Sequence, residues 1–218
     1  MSKMQSKVYK NNKICTLCLV FLLIFASLIG LSACGPVESE EELLAQAKEL
    51  CEKSKAVNEL CFGAGILTEE EGYKLGAYRA ASKASLEQYG VNSIAEIEAR
   101  VGEVYSLTVT SWIKNTVFTS GKSDSGVLNY ARYYDSTEDA YQGLMVKEDY
   151  EPTVKGVCTY SDYVLTEQSR NSVTFTVTVT VTYEGSSITI PSTKLTMCKE
   201  EGVWRLDTPS YATYYEQK

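Results

Sequence analysis

Residues 173–183 read V-T-F-T-V-T-V-T-V-T-Y, and this stretch decides the fold. An apolar or aromatic side chain stands at every second position, with a threonine at each position between. Successive side chains of a β-strand point to opposite faces of the sheet, so a period of two indicates a strand. We therefore predict a long strand with one buried face and one polar or partly covered face.

The segments around this strand extend it into a sheet. Residues 184–187 and 200–202 are made of Glu, Gly and Ser and are typical of turns. They bound two further strands, over 188–199 and 203–207, and a fourth strand is expected over 154–167. Strands joined by short turns pair antiparallel. The C-terminal part is therefore predicted to be a four-stranded antiparallel meander.

Residues 39–92 carry the signals of a helical hairpin. Ser39 and the three glutamates after it form a capping box, and an apolar stripe follows at helical spacing over 43–51. A second capping box at 68–71 predicts the start of the second helix, and Gly90 is a suitable end for it.

The signals between residues 93 and 146 are mixed. A third helix is expected to begin at Ser93. Residues 104–119 are crowded with Thr, Val, Ile, Trp and Phe, which favour strands over helices, so we predict a strand there. Helical spacing persists over 101–112, which leaves a helix as the alternative. A short helix is expected over 136–146.

Charge and composition exclude several classes of function. The chain has 28 acidic and 21 basic side chains, whereas a protein that binds nucleic acid needs a basic footprint. Histidine is absent, which excludes Ser-His-Asp and Cys-His nucleophiles and every His-ligated metal site. No cofactor or metal motif is found. The 16 tyrosines suit surfaces that contact sugars or other proteins.

The N-terminus is built like a secretory signal peptide. Lys3, Lys7, Lys10 and Lys13 precede an apolar run over 14–31 that ends in small residues. A positive start, an apolar centre and a small-residue end are the three parts of such a peptide. The alternative is an uncleaved signal anchor, because an apolar segment of about 20 residues can span a bilayer.

Leu31-Ser32-Ala33-Cys34 resembles the lipobox of secreted bacterial lipoproteins of the Gram-positive type. In that family the cysteine receives diacylglycerol, and cleavage then leaves it as the first residue. The resemblance implies that residues 1–33 are removed, that Cys34 is the lipidated residue and that 34–38 form a short tether. Membrane lipid bound through Cys34 would hold the mature protein on the outer, extracytoplasmic face of the cytoplasmic membrane, since two acyl chains suffice for stable anchoring.

Four cysteines follow the lipobox, namely Cys51, Cys61, Cys158 and Cys198. An exported protein permits disulfides. Cys51 and Cys61 are a possible pair if the first helix ends near residue 57. If the helix runs through both, ten residues of helix rise about 15 Å and exclude the bond. Cys158 and Cys198 fall on different strands of the predicted meander, separated by an intervening strand, so no bond between them is expected.

Residues 199–207, K-E-E-G-V-W-R-L-D, close the meander. The predicted order is helices, a strand, a short helix and then a long-stranded meander with acidic and glycine residues before a Trp strand. This order resembles the nuclear-transport-factor-2-like fold over about 93–209. The resemblance implies an α+β fold in which 93–218 form a cone-shaped roll after the N-terminal helical hairpin. An immunoglobulin-like β-sandwich is the alternative, and it is favoured if 105–119 forms two strands.

The roll fold implies a pocket that serves isomerases, dehydratases and binding proteins alike, and the sequence carries no enzyme signature. We therefore predict a binding or accessory module of the cell envelope, with an envelope protein or a small ligand as its partner. An isomerase- or dehydratase-like enzyme is the alternative, because Asp162 and Glu167 could act as a base beside a tyrosine donor. Candidate residues that line or rim the pocket are Trp112, Tyr160, Tyr163 and Trp204.

Overall fold

Two antiparallel sheets and a group of helices make up the described chain. The computed structural model describes residues 38–119, 121–122, 128–129, 131–153 and 156–210. The chain divides into Met1–Ser39 and a compact unit, Glu40–Lys218. The predicted signal peptide and Cys34 lie outside the described residues. The mixture of helices and antiparallel sheets confirms the α+β class.

The elements follow one another from helices to strands. The helices are α1 Glu40–Phe62, α2 Lys83–Tyr89, α3 Ile94–Val104 and α4 Leu107–Ile113, and a π-helical turn, Lys114–Phe118, continues α4. The strands are β1 Lys74–Leu75, β2 Tyr78–Ala80, β3 Gly121–Lys122, β4 Leu128–Asn129, β5 Tyr133–Glu138, β6 Tyr141–Lys147, β7 Val157–Gln168, β8 Ser172–Tyr183, β9 Ser186–Glu200 and β10 Val203–Leu206.

The predicted meander is confirmed as a sheet of order β10-β9-β8-β7 in which all neighbours are antiparallel. The alternation in β8 has the expected result, since its apolar residues from Val173 to Val181 are at most 7 % exposed. Helix α1 contacts both edge strands, β7 and β10. The helix therefore crosses the face of the sheet that carries these buried residues.

Two tight turns set the register of the meander. Glu184 and Gly185 join β8 to β9 with φ of 47° and 79°, and Glu201 and Gly202 join β9 to β10 with φ of 51° and 84°. Two central residues with positive φ are the mark of a type I′ turn, whose twist matches that of paired strands. The turns predicted at 184–187 and 200–202 are thus confirmed.

Bulges bend this sheet into the curled shape of a half-barrel. The pairing of β7 with β8 shifts between Ser161 and Val164, where Asp162 has a φ of 51°. The pairing of β8 with β9 shifts near Ser192, which has a φ of 57°. A bulge inserts an extra residue on one strand, so the strand bends and its twist increases.

The second sheet, of order β1-β2-β6-β5, corrects two predictions. Within the predicted helical hairpin, 68–71 does not start a helix, because Glu69 N donates to Ala80 O at 2.9 Å and the chain turns into β1 and β2. The second helix is reduced to the seven residues of α2. The helix predicted over 136–146 is instead the hairpin β5–β6. Pairing with β6 decides both segments, which local capping signals alone could not show.

The predicted strand over 104–119 is also wrong, because α4 and the π-helical turn occupy most of it. The helical alternative holds here: Val109, Ile113 and Val117, four residues apart, are at most 6 % exposed. The Ser106 side chain caps the helix by accepting from Val109 N at 3.3 Å. Burial of this stripe outweighs the strand propensity of the β-branched residues. The third helix predicted from Ser93 is confirmed as α3.

The C-terminal end of α1 is bound by residues of 132–153. The last carbonyl groups of a helix lack partners within the helix. Here the last three accept hydrogen bonds: Leu60 O from Tyr133 Oη at 2.7 Å, Cys61 O from Tyr150 Oη at 3.3 Å and Phe62 O from Thr153 N at 3.0 Å. The two carbonyl groups that follow the helix, Gly63 O and Ala64 O, accept from Arg132 Nη2 at 2.8 and 2.7 Å.

Arg132 supplies the positive charge that the end of α1 lacks. No basic residue occupies the last turn of the helix, whose dipole is negative there. Arg132 is 2 % exposed, and its guanidinium carbon lies 4.0 Å from the ring centroid of Tyr150 and 5.1 Å from that of Tyr133. Its Nε and Nη1 have no hydrogen-bond partner in the described part of the chain, so the two aromatic rings offset part of the cost of burying the charge.

We predict that Arg132→Met lowers the free energy of unfolding by roughly 2–3 kcal/mol, because the charge-assisted hydrogen bonds to the carbonyl groups of Gly63 and Ala64 are lost. Urea denaturation measures the change. Arg170→Met, at an exposed arginine in the β7–β8 turn, is the matched control and should change stability by less than about 0.5 kcal/mol. Equal stability of the two variants would contradict this role for Arg132.

Candidate functional site

The structure brings together two of the four aromatic residues predicted to bind a ligand. Tyr160 and Tyr163 both lie on β7, whereas Trp204 lies on β10, at the opposite edge of the same sheet. Trp112 lies on α4, where it is 47 % exposed and stacks on Phe62 with 5.9 Å between ring centroids. The candidate site is therefore the seam between α1 and β7.

Tyr163 is half-buried at the outer part of this seam. The Tyr163 ring packs edge-on against Phe175, with 6.1 Å between the ring centroids. Lys48 Nζ lies 5.8 Å from the centroid of the Tyr163 ring. The thiol of Cys51 on α1 lies close to the Tyr163 hydroxyl. Burial first, and then the neighbouring Cys51, raise the pKa of Tyr163, so it is neutral at physiological pH.

A buried hydrogen-bond network lies deeper in the seam, with Tyr105 at its centre. Tyr105 Oη donates to Asn58 Oδ1 at 2.6 Å and lies 2.8 Å from Ser210 Oγ. Asn58 Nδ2 donates to Ser210 Oγ at 3.1 Å, and Ser210 Oγ donates to Ser54 Oγ at 2.5 Å. The Tyr160 side chain lies near the same Ser210. The network ties α1, the end of α3 and the segment after β10 together.

Burial controls the ionisation of the network. Ser54, Asn58, Tyr105 and Ser210 are all at most 7 % exposed. Burial raises the pKa of Tyr105 to about 12 and also raises the pKa of Tyr160. Both phenols are therefore protonated at neutral pH and act as hydrogen-bond groups, not as bases.

Among the described residues, the cavity between the network and the start of β7 is small. A cavity of about 60 Å³ lies where α1 faces the start of β7, and its lining includes Asn58, Cys158 and Ser210. A water molecule needs about 10–15 Å³ of such volume, whereas ligand pockets usually measure about 300–1,000 Å³. This cavity can hold a few waters but not an ordinary small-molecule substrate.

The cysteines near the seam are free. Helix α1 runs through Cys51 and Cys61, which is the arrangement that excludes the possible bond between them, because about 15 Å of helix separates them. Burial raises the pKa of Cys51 to about 11 and that of Cys61 to about 12, so both thiols are protonated and unreactive at neutral pH. Cys158 on β7 pairs with Val181 near the C-terminal end of β8, whereas Cys198 on β9 pairs with Ser172 at the N-terminal end of β8.

The carboxylates that the enzyme alternative requires are not buried. Asp162 and Glu167 are both exposed on β7. Asp162 sits in the bulge and accepts a hydrogen bond from Ser161 Oγ at 3.0 Å. Neither carboxylate contributes to the network around Tyr105.

Sequence reasoning missed Ser54, Asn58, Tyr105 and Ser210 as a group. Ser54 and Asn58 lie three and seven residues after Cys51, on the same buried stripe of α1. Polar residues on an apolar stripe are a signal for a buried network. Ser210 carries no such signal, because only the tertiary structure places it against the helix.

Within the described residues, no group of His, Cys, Asp and Glu side chains is arranged to hold a metal ion. No described helix is long and apolar enough to cross a membrane. No protein-family model matches the sequence, and no curated protein matches it either. A functional assignment therefore depends on the residues and geometry of this chain.

We predict that Tyr105→Phe lowers the free energy of unfolding by roughly 1–3 kcal/mol, because Asn58 Oδ1 is left buried without its donor. Chemical denaturation measures the loss. The matched control is Tyr134→Phe, at a tyrosine that is 36 % exposed, and little change is expected there. A Tyr105→Phe protein as stable as this control would show that the network contributes nothing.

Proposed function

We propose that this protein is a lipid-anchored binding or accessory module of the cell envelope. The observation that supports a binding role is the small cavity at the seam between α1 and β7. In the part of the chain that the structure describes, this cavity measures only about 60 Å³. A substrate chamber of ordinary size would need several times that volume. A protein with so little room at this seam is better suited to contact a partner at its surface than to enclose a substrate there.

We also propose that the meander and helices α1, α3 and α4 form a nuclear-transport-factor-2-like roll. The curled meander and the path of α1 between its edge strands support this fold. The immunoglobulin-like sandwich has less support, because 107–118 is helical instead of forming two strands. The sheet β1-β2-β6-β5 is an addition that the sequence resemblance did not include.

The isomerase or dehydratase alternative has weaker support than binding. Such an enzyme needs a carboxylate base whose pKa is adapted by a shielded site. Asp162 and Glu167 are exposed instead, and the seam offers little room beside its tyrosines.

The membrane anchor rests on Cys34 and the residues before it. The apolar run ends in Leu31-Ser32-Ala33-Cys34, and α1 starts at Glu40, only six positions after Cys34. Six residues reach at most about 20 Å when extended. The folded unit therefore works close to the lipid surface, on the extracytoplasmic side.

We predict that Cys34→Ala abolishes lipidation, because the thiol that would carry diacylglycerol is lost. Metabolic labelling with a radioactive fatty acid, followed by membrane fractionation, measures it. The matched control is Cys18→Ala, inside the predicted signal peptide, which should keep wild-type labelling. Wild-type labelling of Cys34→Ala would refute the anchor.

We predict that Tyr163→Ala reduces the yield of cross-linked partner on intact cells about tenfold, as expected for an aromatic residue central to an interface. A membrane-impermeant cross-linker and mass spectrometry measure the yield. Tyr134→Ala is the control at another partly exposed tyrosine. Unchanged partners and yield for a folded Tyr163→Ala protein would show that the seam is not the binding surface.

A further inference from the structure

A second and larger depression is also lined by Tyr105, but by α3, α4 and the β9–β10 turn instead of α1 and β7. It is a groove of about 390 Å³ between the end of α3, the start of α4 and the β9–β10 turn. This volume falls within the range of about 300–1,000 Å³ that is typical of binding sites. Its lining residues are Gly102, Tyr105, Leu107, Thr110, Glu200, Glu201 and Arg205.

The walls of the groove are held in place by their own hydrogen bonds. Arg205 Nε donates to Gly102 O at 2.8 Å, and Arg205 Nη1 donates to Glu200 O at 3.1 Å. The Glu200 carboxylate accepts from Leu107 N at 3.1 Å and lies 3.7 Å from Arg205 Nη1. A partner would therefore meet a preformed surface, which lowers the entropy cost of binding.

Gly102 keeps one wall of the groove open. It lies inside helix α3, where glycine costs about 1 kcal/mol relative to alanine. A Cβ atom at this position would meet nothing within 4 Å, and its φ is not in the left-handed region. Neither packing nor backbone geometry therefore requires a glycine. Its missing side chain does leave the groove free for another molecule.

Two aliphatic side chains flank the carboxylate of Glu200. Leu107 is 71 % exposed, and its amide binds that carboxylate. Val203 is 52 % exposed and pairs with Glu200 across the β9–β10 turn. Single exposed aliphatic residues are ordinary on protein surfaces. Here both lie beside one carboxylate at the groove. This arrangement suits a partner in which an apolar group adjoins a cationic one.

The charges of the groove favour a cationic occupant. Arg205 and Leu107 N already bind the carboxylate of Glu200, so the two opposite charges of this pair offset each other. Glu201 is the further acidic residue that lines the groove and makes it negative. The whole chain has a net charge of −7, which disfavours anionic lipid and nucleic acid. We propose that this groove binds a segment of a partner protein in which a Lys or Arg side chain adjoins an aliphatic one. This inference rests on the proposed binding function and names the chemistry of the partner.

An array of short synthetic peptides tests the proposal, with every combination of Lys, Glu, Leu and Ser at the central positions. The purified lipidated protein should retain peptides in which Lys adjoins Leu. Gly102→Gln fills the groove, and Glu201→Lys reverses the charge at its rim, so each should weaken retention about tenfold or more. Thermal melting confirms that each variant is folded.

Matched controls keep the test specific. Ala45→Gln makes a similar change at an exposed position of α1, and Glu184→Lys makes the same charge reversal in the equivalent type I′ turn between β8 and β9. Both should bind like the wild type. Should Gly102→Gln fail to fold, Glu201→Lys alone decides the result.

Several results would overturn the proposal. They are retention without preference for Lys, unchanged retention by the folded groove variants, or no retained peptide at all. Sedimentation that shows self-association broken by Gly102→Gln would assign the groove to a second copy and also overturn it. If cross-linked partners on intact cells persist in any of these cases, the binding function stands and only the groove assignment fails.

Discussion

The structure depends on how the carbonyl groups at the end of one helix find hydrogen-bond donors. The last three carbonyl groups of α1, Leu60 to Phe62, and those of Gly63 and Ala64 just after it all accept hydrogen bonds from residues of 132–153. A buried acceptor left unpaired would cost free energy. Gly65 belongs to the same constraint: its φ is 58°, and a Cβ atom there would lie 2.3 Å from Arg132 Nη2. Only glycine lets the chain leave the helix beside the guanidinium.

This constraint and the buried network together determine where the molecule can bind anything. The end of α1 is tied to Arg132 and its neighbours, and the side of α1 is tied to Tyr105 and Ser210. The helix therefore lies against the face of the meander. The two binding surfaces that we propose are the seam at Tyr163 and the groove beside Glu200.

Local sequence patterns correctly predicted the elements that are stabilised mainly by interactions between residues close in the sequence. The period of two over 173–183 and the flanking turns placed the meander correctly, because alternating burial and positive-φ turns leave direct traces in a sequence. The capping signals placed α1 and α3. The same kind of reasoning was wrong at 104–119 and 136–146. In these two segments, contacts with residues distant in the sequence outweighed local propensity. The capping box at 68–71 likewise does not begin a helix but lies in a turn.

For the candidate site, the sequence by itself determined which chemistry was available: no histidine, many tyrosines, and a lipobox that predicts an anchor at Cys34. It also placed Tyr160 and Tyr163 on one strand. Only the tertiary structure decided that Trp112 and Trp204 lie elsewhere, that Ser54, Asn58, Tyr105 and Ser210 form one network, and that Gly102 opens a groove beside Glu200. The reason is physical. These groups are up to 156 positions apart in the chain, and burial of polar atoms against one another depends on contacts that no local pattern encodes.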